Sequence, residues 1–270
     1  MSFTSNITFV APVGRRGEVL EHNFLASSCL SEPRLHQVLI QENFKSAALA
    51  YNDAIDRSEN DLMVFVHQDV VLPRPWLSQL ERALQYLQVR DPNWGVLGAY
   101  GARPDGSESG YVYSNGQGVI GNPFEEPAPV QTLDEIVLIL RKSSGLRFDE
   151  RLPHFHLYGA DICLAAAKQD MTSYAIPAFC IHNTHRILVL PKEFYECYKV
   201  LKKTWKENLP IQTTCIRVTR FDTFMYKRRL YEAYLRHVRH REMSRKRVCD
   251  VSSLLHEVET LLGDTAAAGN

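Results

Sequence analysis

A parallel-rich α/β fold is what this sequence predicts, and three observations carry the reading. Short apolar runs alternate with segments of helical periodicity through the first hundred residues, and Pro, Gly, Asn and Asp punctuate the joints. The apolar runs have strand length and lack the extent of helices. With 270 residues, 45% apolar and 23% charged, the chain can bury a sizeable core.

Residues 7–10 (ITFV) read as a strand that ends at the turn formers Pro12 and Gly14. Residues 37–40 (QVLI) read as a second strand. Phe44, Ala47, Ala48, Tyr51 and Ile55 then recur at helical spacing. Residues 62–66 (LMVFV) form an uninterrupted apolar run, the pattern of a fully buried strand. Leu77, Leu80, Leu84 and Leu87 mark the next helix, with Pro73 and Pro75 at its approach. A strand over 95–100 completes a strand–helix–strand repetition, which predicts helices on both faces of a largely parallel sheet.

Residues 101–130 are rich in Gly, Ser, Asn and Pro, and 121–129 (GNPFEEPAP) predict a mobile surface loop. A strand over 130–141 and a helix starting near Ala160 follow. Beyond Pro191 the pattern turns helical, with Phe194, Tyr198, Leu201 and Trp205 on one face. A second helical stretch follows Phe221, and a third covers about 251–262.

Formal net charge is zero, so bulk electrostatics predict no attraction to nucleic acid or membrane. Six cysteines without a CxxC pair fit neither a zinc site nor a disulfide framework. No secretory signal opens the chain and no apolar run can span a bilayer, so a cytoplasmic protein with reduced thiols is expected. The glycines form neither GxGxxG nor a P-loop, which removes dinucleotide and kinase readings.

The chemistry concentrates in 46–73, SAALAYNDAIDRSENDLMVFVHQDVVLP. His67-Gln68-Asp69 emerges at the carboxyl end of the buried strand, where open α/β sheets bind ligands. A carboxylate there can hold a divalent cation, and the cation can neutralise a diphosphate leaving group. This segment resembles the nucleotide-sugar-dependent glycosyltransferases of family 2, in the branch with a His-Gln-Asp triplet. The resemblance implies a GT-A fold. It also implies that Asn52 sits where the family's helix Asn sits, and that Asp69 is the second Asp of the usual Asp-x-Asp. His67 replaces the first Asp; an imidazole there can bind manganese or hydrogen-bond phosphate.

A second match runs from 148 to 184, beginning FDERLPHFHLYGAD. It is similar to the family's FDE turn, Glu-Asp helix start and strand ending in His. Asp161 takes the position of the family's general base, with Ala160 in place of the neighbouring Glu, and His182 takes that of the His completing the metal or diphosphate site. A carboxylate at a helix start is kept ionised by free N–H groups. Pro12 and Val13 after the first strand fall where the family's loop contacts base and ribose, and Glu42 and Asn43 after the second strand are placed to read a base edge. Gln68 joins them as a donor-binding candidate.

His154 and His156 form an HxH pair with no third ligand nearby, which favours acceptor contact or packing over a second metal site. Residues 209–214 (LPIQTT), with Arg217 and Arg220, either close over a diphosphate or form a capped connection between helices. Residues 227–247 carry nine Lys or Arg against two Glu. The favoured reading is a solvated helix face, with Leu230, Tyr231, Tyr234, Leu235 and Val238 buried against the main domain. A peripheral contact with anionic lipid is the alternative. No recognition motif supports nucleic-acid binding.

The resemblance implies a GT-A-like domain over 1–190, and the sequence pattern adds a helical extension over 191–263 and a frayed tail over 264–270. It implies that Asp69, His182 and His67 hold Mn²⁺ or Mg²⁺ on a nucleotide-diphosphate sugar. Asp161 would deprotonate a hydroxyl acceptor that attacks with inversion. A flavin-independent nucleotide-sugar mutase working through the same site is the principal rival. A catalytically silent sugar-nucleotide-binding protein is a third reading.

Overall fold

The computed structural model describes residues 6–14, 17–31, 36–184, 189–238 and 247–268. The chain opens with β1 (Ile7–Val13), α1 (Glu18–His22), β2 (Gln37–Glu42), α2 (Ala47–Arg57), β3 (Leu62–Val66), β4 (Val70–Val71) and α3 (Trp76–Arg90). Strand β1 pairs in parallel with both β2 and β3, so their carboxyl ends share one edge of the sheet. Ser46 starts α2 by accepting the Leu49 N–H at 3.4 Å. Strand periodicity splits β3 between two cores. Met63 and Phe65 join Ala47, Ala50, Tyr51 and Ala54 of α2 on one side. Leu62, Val64 and Val66 join Leu77, Leu80 and Leu84 of α3 on the other.

The next segment holds β5 (Leu97–Gly98), β6 (Tyr100–Ala102), β7 (Glu108–Ser114), β8 (Gly118–Gly121), β9 (Ala128–Val130), β10 (Thr132–Leu133) and β11 (Val137–Arg141). The expected loop over 121–129 is therefore partly sheet. Pro129 is tolerated because β9 is the last strand of its sheet and pairs only with β12 (Ser173–Ala175). The single strand expected over 130–141 breaks at Gln131, where the chain passes from one sheet to the other, and again at Asp134 and Glu135, two charges that a continuous ladder would bury. Strand β11 runs antiparallel to both β3 and β5, which makes the sheet mixed. Its order is β2-β1-β3-β11-β5-β12-β9.

The remaining elements are α4 (Tyr158–Ala167), β13 (Cys180–His182), α5 (Lys192–Thr204), β14 (Ile211–Gln212), β15 (Arg217–Val218), α6 (Thr223–Val238) and α7 (Val251–Ala268). A second sheet has the order β10-β6-β7-β13-β4, with β8 beside β7. Helix α5 contributes Phe194, Cys197, Tyr198 and Leu201 to the same core as α2 and α4. Val251, Leu254 and Val258 of α7 pack on Val71, Tyr113 and Ile181 of the second sheet. The helices after residue 190 thus share the cores of the α/β layers, and α7 continues past the tail boundary expected at 264.

Helix α6 departs from expectation. Leu235 is buried, but Leu230, Tyr231 and Tyr234 are 72%, 54% and 57% exposed. The helix docks through a polar network in place of an apolar ridge. Buried Glu232 accepts from Arg228 at 2.8 Å, from the Tyr195 hydroxyl at 2.7 Å and from the Leu190 N–H at 3.0 Å. The side chain of Val238 and residues 239–246 of the basic segment lie outside the described residues. Among the described residues no helix is long and apolar enough to cross a membrane.

Candidate active site

The parallel strands β1 and β3 and the antiparallel β11 bring the end of β3 and the start of β11 to one edge. There the His67 N–H donates to the Ile136 carbonyl at 3.2 Å, and the Val70 N–H closes a tight turn onto the His67 carbonyl at 3.1 Å. That turn presents Asp69. Pairing of β4 with β13 sets Val70 opposite His182, and the Asn183 N–H donates to the Asp69 carbonyl at 2.8 Å. One ligand atom each from His67, Asp69 and His182 then lies within 4.8 Å of the others. No other such cluster of three His, Cys, Asp or Glu occurs among the described residues.

Asp69 is buried, and its carboxylate is fully engaged. His182 Nε2 stands 3.4 Å from one oxygen, and the Arg247 guanidinium donates to the other at 2.7 Å. Burial pushes its pKa up, but the His182 hydrogen bond and charge, the charge of His67 and the Arg247 bond outweigh it. The carboxyl is held far below its usual range. Burial pushes His67 down, opposed by Asp69 and reinforced by His182. Two imidazoles and a carboxylate, gathered around a position where a guanidinium already supplies positive charge, fit a divalent cation.

Arg247 reaches this place because Asn183 straps the chain beside it. The Asn183 amide accepts from the Val248 N–H at 2.9 Å and donates to the Val248 carbonyl at 2.7 Å. The Arg247 Nε is buried with no acceptor among the described residues. A donor left unpaired there costs free energy until an acceptor arrives.

Tyr158, at the start of α4, ties the cluster to the helices. Its hydroxyl lies 2.8 Å from His67 Nε2, 3.3 Å from the Tyr51 hydroxyl and 3.4 Å from the Glu135 carbonyl. The partly exposed Glu135 carboxylate accepts from the Gly159 N–H at 3.4 Å. A Cβ on Gly159 would come within 3.2 Å of Glu135 Cγ and 2.6 Å of the Leu133 carbonyl, so glycine lets this acid lie against the helix start. Burial and the neighbouring Asp134 charge push the Glu135 pKa up to about 8, against the N–H groups of Gly159, Leu157 and Tyr158.

Asp161 lies one turn into α4 and faces elsewhere. Its carboxylate accepts the Trp205 indole N–H at 2.6 Å. It lines a cavity of about 860 Å³ with Arg147, Asp149, Arg151, Lys168 and Lys203, a set that includes none of His67, Asp69 or His182. Burial raises its pKa to about 6; the Trp205 bond opposes this and the Asp149 charge adds to it.

The remaining candidates divide by location. Pro12 and Val13 end β1 buried, directly beside Gln41 and Glu42 of β2. Glu42 and Asn43 are exposed at the same edge, Asn43 at a left-handed φ of 61°. Gln68 is half-buried between His67 and Asp69. Asn52 is committed to structure. Its amide donates to the Phe148 carbonyl and to Glu150 at 2.9 Å and accepts the Phe148 N–H at 3.0 Å. Arg220 is exposed, its guanidinium 5.9 Å from the Phe221 ring and its carbonyl bonded to Lys202, in the helical region. His154 pairs with Glu196 at 2.7 Å and His156 packs on Phe194, so the two imidazoles do not form a joint site. Residues 209–214 include β14 of a two-stranded hairpin, and Thr214 donates to Asp134 at 2.7 Å.

Sequence reasoning missed Glu135, Tyr158 and Arg247. Glu135 left one signal, a charged pair interrupting the apolar run 130–141. Arg247 left none, since 178 residues separate it from Asp69.

The profile of a family described as "Glycosyltransferase like family" matches residues 31–203, well over half the chain. This protein belongs to that family. The matched span holds all three clustered residues, Glu135, Tyr158 and Asp161. A relative in Fuscovulum blasticum called "ATP synthase subunits region ORF 6" is 29% identical over 165 residues, covering 59% of this chain and 66% of its own length. Among solved structures, the Pyrobaculum calidifontis mannosyltransferase PcManGT, in complex with GDP-Man and Mn²⁺, is similar at 12% identity. It covers 99% of this chain and 81% of its own, with a TM-score of 0.45. Staphylococcus aureus TarS is similar at 14% identity over 73% of this chain and 39% of its own, with a TM-score of 0.45. This glycosyltransferase-like chain therefore spans under half of the TarS chain.

Proposed function

We propose that this protein transfers a sugar from a nucleotide-diphosphate donor to a hydroxyl acceptor with the help of a divalent cation. The observation that carries the reading is the convergence of His67, Asp69 and His182 at the carboxyl edge of the parallel strands. These three residues would hold the cation, and the two imidazoles suit Mn²⁺ better than the all-oxygen preference of Mg²⁺. The bound cation supplies the charge that neutralises a departing diphosphate. Pro12, Val13, Glu42 and Asn43 lie along the same edge and would receive the base and ribose, with Gln68 reaching toward the donor.

Arg247 occupies Asp69 as a cation does, so like charge would drive it off that carboxylate when the metal enters. A diphosphate oxygen then offers its guanidinium, including the unpaired Nε, the acceptor it lacks. Two carboxylates compete for the role of base. Asp161 has the family position but bonds Trp205 in a separate cavity. The Glu135 backbone carbonyl accepts from Tyr158, whose hydroxyl also meets His67; its partly exposed carboxylate lies against the Gly159 N–H, with a pKa near the working range of a general base. We therefore assign the acceptor proton to Glu135 and a structural role to Asp161. Asn52 acts on the fold, and Arg220 stands exposed away from the cluster. A nucleotide-sugar mutase would use the same cluster, and no residue favours it over transfer.

A panel of nucleotide sugars with Mn²⁺ and mixed hydroxyl acceptors tests the reading. Free nucleoside diphosphate together with a glycosylated acceptor is expected. An isomeric nucleotide sugar would establish the mutase instead, and tight donor binding without turnover would establish a silent binding protein.

A further inference from the structure

Helix α6 turns to solvent a face that the core does not use. Its inward side carries Met225, Arg228, Glu232 and Leu235. The adjacent side, about 100° round the helix, carries Phe224, Lys227, Tyr231 and Tyr234 at spacings of three and four, with Leu230 beyond them. Phe221 just before the helix is 78% exposed. Single exposed apolar residues are ordinary on a protein surface; a contiguous set of this kind marks an interaction site.

The charge on this face has one sign. Between residues 217 and 235 the two acids, Asp222 and Glu232, both turn inward and pair with Lys202 and Arg228. Arg217 and Arg220 are exposed, their guanidinium groups 5.5 Å and 5.9 Å from the rings of Phe224 and Phe221. Lys227 is exposed among the tyrosines. Aromatic rings and cations thus share a surface without an outward carboxylate.

We propose that this face of α6, with Arg217, Arg220 and Phe221 beside it, seats the protein on an anionic lipid surface. Tyr and Phe rings settle at the headgroup level of a bilayer, and Lys and Arg are drawn to anionic headgroups. The combination lets a helix lie in the interface without crossing it. A second copy of the chain is the wrong occupant on charge grounds. A two-fold pairing through the same patch would press Arg217, Arg220 and Lys227 of both copies together with no carboxylate between them. The reading is independent of the reaction proposed above.

Co-sedimentation of the full chain with vesicles tests it, using phosphatidylcholine alone and phosphatidylcholine mixed with phosphatidylglycerol. Pelleting is expected with the anionic vesicles at low salt. It should weaken as the Debye length falls from about 10 Å at 0.1 M to about 3 Å at 1 M. Replacing Arg217, Arg220 and Lys227 together by Gln should lower the partition on the order of 100-fold, the product of about fivefold per charge. Phe221→Ser with Leu230→Ser should lower it at unchanged charge. Both variants alter exposed side chains, so their thermal midpoints should match the wild type. Equal pelleting on neutral and anionic vesicles would overturn the proposal. So would no pelleting at all, or a solution dimer that Leu230→Ser dissociates while lipid binding is absent.

Discussion

Asp69 is the most constrained side chain in the site, with a histidine on one oxygen and an arginine on the other. Asp69→Asn removes the anionic ligand while leaving a side chain of the same shape. We expect it to fold, to lose Mn²⁺ binding by electron paramagnetic resonance and to lose turnover. Arg247→Met gives a sharper test because its two effects have opposite signs. Mn²⁺ alone should bind more tightly, since a competing cation is gone. Binding of a nucleoside diphosphate with Mn²⁺ should weaken by about tenfold, a typical loss for a charge-assisted contact. Weakening of both, or of neither, would remove Arg247 from the proposed exchange. The two acids separate in the same way. Glu135→Gln should lower kcat by about 10²–10⁴-fold with donor affinity retained, the range for a lost general base. Asp161→Asn still accepts from Trp205 and should keep most of its activity. The reverse outcome would restore Asp161 as the base.

Helices α2 and α4 matter because they aim those side chains, and each depends on one unobtrusive residue. Asn52 in α2 clamps both polar groups of Phe148, which opens the turn leading to α4. Asn52→Ala would strand a buried N–H and a carbonyl, costing about 1–3 kcal/mol for each. The expected result is a lower thermal midpoint and a metal site that is intact once folded. A retained midpoint would show that water replaces the amide. Gly159 opens the first turn of α4 to Glu135 and the Leu133 carbonyl. That contact brings Glu135, from the segment before β11, to the start of α4.

Across the whole molecule, two acids with raised pKa values, Asp161 and Glu135, make stability fall as pH rises. Both Asp161 and Glu135 are more easily protonated in the folded protein than in the unfolded chain. Their contribution is full below about pH 4, and it is lost as pH rises through about 6 for Asp161 and about 8 for Glu135. The double variant Asp161→Asn, Glu135→Gln should therefore gain on the wild type in thermal midpoint between about pH 5 and pH 8. A difference that does not change with pH would contradict the raised pKa values of both groups. Asp69 has the opposite sign, since its depressed carboxyl stabilises above about pH 4 and that contribution is lost in acid.

The parallel core and the end of β3 were legible in the residues because both depend on local pattern. An unbroken apolar run such as 62–66 can only be buried on both faces, and whatever follows it emerges at the sheet edge. That placed His67 and Asp69, and a motif match placed His182 beside them. The helix start, expected near Ala160 and found at Tyr158, was legible too, but what Asp161 faces was not. Successive helical residues turn by about 100°, so a shift of one or two positions sends a carboxylate into another cavity. The polar clamp that docks α6, the approach of Glu135 to Gly159 and the reach of Arg247 to Asp69 join segments tens to hundreds of residues apart. Such contacts exist only once the layers have packed, and tertiary structure alone decided them.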